Sequence, residues 1–131
     1  MPTPAILSAV PHVAFVPIAD KDKALAFYRD QLGLTLLQDE SPFALVFDLN
    51  GTILRASFSG DFKPQPFTIL GWSVPNIAAI VQQLTDAGVA FTRYPGMNAD
   101  HPLAIWTAPG GTQVAWFTDP FGNTLSLQQN P

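Results

Sequence analysis

The chain has 131 residues, six Lys and Arg against ten Asp and Glu for a net charge of −4, and no cysteine. Disulfides and thiolate chemistry are excluded, and scattered basic residues argue against nucleic acid, whose backbone demands clustered positive charge. Hydrophobic residues make up 47% and charged residues 12%, so either the core is rich or another subunit covers apolar surface.

A chain of this size buries roughly 70% of its unfolded surface as one domain. No apolar run reaches the roughly 18 residues of a membrane span. The leading MPTPAILSAVPH lacks a basic stretch of the signal-peptide kind. These features predict a single cytoplasmic domain over residues 1–131.

Val13 to Ile18 reads as a strand broken by Asp20, which is placed to cap a helix. Ala24, Leu25, Tyr28 and Leu32 recur at helical spacing, and Gly33 supplies a left-handed stop. Leu34 to Leu37 and Phe43 to Asp48 return to strand character, joined to the next strand by Asn50-Gly51, a type I′ hairpin signal. The polar segment SGDFKPQ (Ser59 to Gln65) is the natural junction between two halves.

The same grammar then repeats. Phe67 to Val74 reads as a strand, and Asn76 caps a helix with Ile77, Ile80, Val81 and Leu84 on one face, stopped by Gly88. Val89 to Tyr94 alternates as a half-buried strand, followed by the loop PGMNADHP and three further strands around Gly110-Gly111 and the DPFGN turn. The helices align at an offset of about 56 residues and the late strands at about 71, the difference falling in and around that loop. The pattern predicts an α+β fold of two βαβββ modules in tandem, about 10–60 and 66–129, forming a curved mixed sheet around a cleft.

The phrase I-A-D-x-x-x-A-x-x-F-Y-R-D-x-L-G-L, together with WFTDPFGNTLSL, resembles the vicinal oxygen chelate superfamily of glyoxalases, bleomycin-resistance proteins and extradiol dioxygenases. The resemblance spans about Val13 to Gln128 and implies paired modules around a cleft, frequently in a homodimer. It also implies four metal-ligand positions, normally His in the first strand and Glu in the last strand of each module. Here they fall on Val13, Arg55, Ile69 and Ser126. Val and Ile have no donor atom, Arg is cationic and Ser alone is a poor anchor. The expectation is therefore no metal and no cofactor.

His12 lies one residue from the mapped position, so strand alternation sends it to the opposite face unless a bulge intervenes. His101 lies in the loop, where it is either solvated or cleft-lining. Arg55 is the sharpest candidate, either clamping an anionic ligand group or paired with an acidic residue. Arg93 reads as a solvated side chain. Alternation places Ser57 with Arg55, and Phe67 with Ile69, on the cleft face. Phe58 and Trp72 fall on the helix side, and Trp106 and Trp116 flank the Gly-Gly turn. The DPFGN turn needs only a turn-forming role, and no phosphate loop or nucleophile motif is present.

The expected ligand-binding set is Arg55, Ser57, Phe67, Tyr94, His101, Trp106, Trp116 and Ser126. The predicted function is metal-independent binding of a partly aromatic small molecule, with an anionic group near Arg55 if that residue faces inward. The alternative is a metal-dependent or unconventional lyase, isomerase or dioxygenase of the same superfamily, the unconventional site using His12, His101 and Ser126. A structural dimer with a vestigial cleft is the third reading. No nucleic acid or membrane partner is expected.

Overall fold

A computed structural model describes residues 5–131. β1 (Val13–Ile18), β2 (Leu36–Glu40), β3 (Ala44–Leu49) and β4 (Thr52–Phe58) form one mixed sheet in the order β1-β4-β3-β2. β5 (Thr68–Ser73), β6 (Phe91–Thr92), β7 (Trp106–Thr107), β8 (Gln113–Thr118) and β9 (Thr124–Gln129) form the second, in the order β5-β9-β8-β6 with β7 also on β8. In each sheet the first and last strands pair in parallel and the remainder antiparallel. Helix α1 (Lys21–Ala24) follows β1 and α2 (Ile77–Asp86) follows β5. This is an α+β fold of two βαβββ-like modules, although the hydrogen-bonded ladders make two sheets rather than one. Among the described residues, no helix is long and apolar enough to cross a membrane.

Both helices start where the caps predict. The Asp20 carboxylate accepts the Lys23 amide at 2.8 Å, and Asn76 Oδ1 accepts the Ala79 amide at 3.2 Å. The first helix departs from simple α geometry after one turn. Leu25–Gln31 winds as a π-helix, with the Leu32 amide reaching the Phe27 carbonyl. Wider winding brings consecutive residues closer in angle, so Phe27 and Tyr28 both turn into the core. Asn50 (φ 52°) and Gly51 (φ 101°) both adopt the left-handed conformation that a type I′ hairpin requires.

The internal repeat holds at the level of strand register. Phe15 lies opposite Arg55 and Val16 opposite Ala56, while the residues 56 and 71 positions later, Gly71 opposite Ser126 and Trp72 opposite Leu127, pair identically. One position departs. Thr68 pairs with Thr124 and Leu70 with Leu125, leaving Ile69 in an irregularity between them. The place in the ladder that matches Val13 therefore belongs to Thr68, because a bulge consumes one residue of β5.

The strand predicted over Val89 to Tyr94 is also shorter than expected. Phe91–Thr92 pairs with β8, the chain leaves the sheet, and Trp106–Thr107 rejoins the same strand. The excursion between them lies where the two halves differ in length.

One core unites the modules. Val16, Leu45, Phe47 and Leu54 from the first sheet, Phe117, Leu125 and Leu127 from the second, and Ile77 and Val81 of α2 belong to a single buried cluster. Phe27 packs on Phe117 at 6.2 Å and Tyr28 on Phe47 at 5.9 Å between ring centres, so the first helix touches both sheets. Phe58 and Trp72 pack against this cluster on the helix side, as alternation requires. The opposite, open faces of the sheets carry the candidate site.

Candidate functional site

On the open face of the first sheet, Val13 and Phe15 are 43% and 60% exposed, beside Arg55 and Ser57 of β4. Arg55 shares this face but its guanidinium is paired, with Nη1 at 2.8 Å from Glu40 Oε1. Glu40 sits at the end of β2, two strands away, with the same sidedness as Ala44 and Ser57. Both partners are about one-third exposed, which makes the pair accessible to a competing ligand and modest in stability. The sequence reading missed Glu40 because only strand register reveals that it reaches Arg55.

The open face of the second sheet carries the aromatic residues. Trp116 lies opposite Ser126 on β9, and Gly71 lies opposite Ser126 on its other side. A Cβ at Gly71 would come within 2.8 Å of the Ser126 hydroxyl oxygen, so the absent side chain gives that hydroxyl its space. Tyr94 meets Trp116 edge-on at 5.3 Å, and Trp106 lies 6.0 Å from it at an interplanar angle of 34°. A hollow of about 190 Å³ is lined by Phe67, Thr68, Tyr94, Met97, Trp116 and Thr124 with Pro66. Phe67, Tyr94 and Trp116 are thus brought together, with Trp106 behind Trp116. Arg55 and Ser57 belong to the other sheet and do not line this hollow. Met97, Thr68 and Thr124 were not singled out by the sequence reading; alternation with Ser126 signals Thr124, the irregularity in β5 brings in Thr68 against alternation, and nothing local signals Met97.

The loop carrying Tyr94 and Met97 is held from within. Asn98, 1% exposed, accepts the Tyr94 amide at 2.7 Å and donates to the carbonyls of Thr92 and Ala104. Arg93 donates to the carbonyls of Ala99, His101 and Pro102 at 3.0, 2.6 and 3.3 Å. Its guanidinium is therefore engaged in holding the loop rather than simply solvated. His101 Nδ1 accepts the Leu103 and Ile105 amides at 3.0 and 3.3 Å, which commits that nitrogen as an acceptor within the loop. These bonds replace the ladder that the excursion gives up.

The DPFGN turn is a buckle between modules. Asp119, 5% exposed, accepts the amides of Phe121 and Asn123 at 2.9 Å each through Oδ1, while Oδ2 accepts the Tyr28 hydroxyl at 2.6 Å. Asn123 Nδ2 donates both to Asp119 and to the Pro17 carbonyl. Burial, reinforced by the neighbouring carboxylate, pushes the Tyr28 phenol far above its ordinary range, so it remains a donor.

A sequence profile of the glyoxalase/bleomycin resistance protein/dioxygenase superfamily matches residues 9–127. The chain belongs to this superfamily. No curated protein matches it. Among solved structures, a superfamily member from Sphaerobacter thermophilus DSM 20745 aligns at 23% identity and a TM-score of 0.72, covering 95% of this chain and 100% of that one. A glyoxalase/bleomycin resistance protein from Catenulispora acidiphila DSM 44928 aligns at 19% and 0.70, covering 93% and 99%. A lactoylglutathione lyase from Agrobacterium tumefaciens aligns at 18% and 0.69, covering 93% of each chain. These similarities establish the fold alone.

Against the metal enzymes of the superfamily, the donor set here does not fit. Val13 offers no donor atom, Ile69 is displaced by the bulge, Arg55 is a cation already paired with Glu40, and Ser126 is a lone hydroxyl. Among the described residues, no three His, Asp or Glu side chains gather as a metal-holding group. His12 shares a cavity with Ala14, Trp72 and Ser73 rather than with Val13 and Arg55.

Proposed function

We propose that this superfamily member is a metal-independent small-molecule binding protein of the glyoxalase/bleomycin-resistance type. The observation that carries the reading is the aromatic wall: Trp116 flanked by Tyr94 and Trp106, above a hollow also lined by Phe67. Aromatic walls with a few polar groups suit partly apolar ligands. Ser126, Thr68 and Thr124 supply polar contacts on the same face, and His101 holds the adjoining loop. The donor chemistry at Val13, Arg55 and Ser126 supports binding without metal.

The reading includes a homodimer. The hollow of about 190 Å³ in one chain is smaller than the roughly 300 Å³ at the lower end of ordinary ligand sites. Val13, Phe15 and Phe67 are exposed apolar side chains on the open faces, the kind of surface a second copy covers. Facing the first module of one copy against the second module of another would bring Arg55 and Ser57 to the aromatic wall. A ligand with an anionic group then reaches Arg55 by displacing Glu40.

The test is a thermal-shift screen of chelator-treated protein against aromatic carboxylates and drug-like cations. A concentration-dependent rise in melting temperature without metal supports the proposal. A rise that requires added divalent metal, or none with any compound, contradicts it.

A further inference from the structure

Two adjoining hollows lie away from the aromatic wall, on the helix side near the seam where β1 passes β5. An inner compartment of about 170 Å³ is lined chiefly by Leu32, Leu34, Trp72, Val74, Ile80 and Leu84. An outer compartment of about 540 Å³ shares Leu32, Leu34, Trp72 and Ser73 with it, and adds His12, Asn50 and Thr52. The four shared residues make these two ends of one trough, apolar inside and hydrogen-bonding at the mouth. Trp72 stands nearly parallel to Phe117, at 6.3 Å and 20°, which fixes its indole as a wall.

We infer that this trough is a second ligand site, for an uncharged single-ring aromatic compound bearing one hydrogen-bonding substituent. Three observations define that class. The inner compartment matches in volume an apolar cavity of about 150 Å³ that takes up benzene. A polar substituent loses water without compensation among leucines, so it points outward, where Ser73, Thr52, Asn50 and His12 offer partners. Neither compartment is lined by Lys, Arg, Asp or Glu, so an ionic group finds no counter-charge. This goes beyond the proposed function, because Trp72 and Trp116 lie on opposite faces of the second sheet.

Phenol is a suitable probe, titrated into the full-length protein while the indole N–H signals are followed by NMR. The expected result is a saturable shift of Trp72, with contacts from phenol ring protons to the methyl groups of Ile80 and Leu84. Leu84→Phe, which fills the inner compartment, should weaken that response by about tenfold or more, while Trp116→Ala leaves it in place. Benzoate, the charged analogue, should bind this trough at least about tenfold more weakly than phenol. A Trp72 signal that does not saturate, or contacts confined to Trp106 and Trp116, would overturn the inference. So would benzoate binding equal to phenol. Should Leu84→Phe fail to fold, the phenol contacts in the unsubstituted protein decide the matter.

Discussion

The Tyr28 hydroxyl donates to Asp119 at 2.6 Å, joining residues 91 positions apart. One belongs to the helix of the first module and the other to the last turn of the second. Tyr28 is fully buried and Asp119 nearly so, so removing the donor leaves a buried carboxylate oxygen with one partner fewer. Tyr28→Phe should cost about 1–3 kcal/mol. Urea unfolding checks this through a lower midpoint at unchanged slope.

Asn98 holds the excursion between β6 and β7 through three backbone bonds. Asn98→Ala leaves an amide and two carbonyls without this partner, a loss of about 1–3 kcal/mol or more. Because Tyr94 and Met97 sit on this excursion and line the hollow, the variant should lose ligand-induced thermal stabilisation as well as stability. Hydrogen exchange should accelerate first at residues 94–105, while protection in β9 is retained. Equal acceleration throughout the chain would contradict a local role.

Glu40 neutralises Arg55 on the open face. Glu40→Gln should raise affinity for an aromatic carboxylate about two- to tenfold and leave a neutral analogue unaffected, because the released guanidinium gains a carboxylate partner. Arg55→Ala should lower carboxylate affinity selectively. Calorimetric titration distinguishes these outcomes from a general loss of folding.

Asp39 gives a pH signature. Lys21, followed by the Ser41 hydroxyl and amide, holds its carboxyl down at about 2. A lowered folded-state value means that the unfolded chain takes up the proton first. The stabilising contribution is therefore present above the ordinary carboxylate range, near 4, and is lost as pH falls toward 2. Asp39→Asn should flatten part of the decline in urea midpoint between those values. The Asp39 side chain is about one-third exposed, and solvent screening keeps the effect small.

The scaffold was largely legible because it rests on local chemistry. Asp20 and Asn76 announced their helices, Asn50-Gly51 announced its hairpin, and the 56- and 71-residue offsets recovered the pairing of Phe15 with Arg55 and of Gly71 with Ser126. The reading failed where one residue changes register. Ile69 was placed by counting, but counting assumes an unbroken ladder and β5 is irregular there. It also failed where the partner is distant in sequence. Nothing near Arg55 names Glu40, nothing in DPFGN names Tyr28, and Arg93 looked solvated because its acceptors are backbone carbonyls of a loop that periodicity does not describe.

The most direct test of metal-independent binding at the aromatic wall is calorimetric titration of indole-3-acetate into chelator-treated protein, alongside Trp116→Ala. The account predicts saturable binding with chelator present and at least about tenfold weaker binding after loss of the indole, since buried aromatic contacts dominate such affinities. Binding that appears only after divalent metal is restored, or that is unchanged in Trp116→Ala, would contradict it.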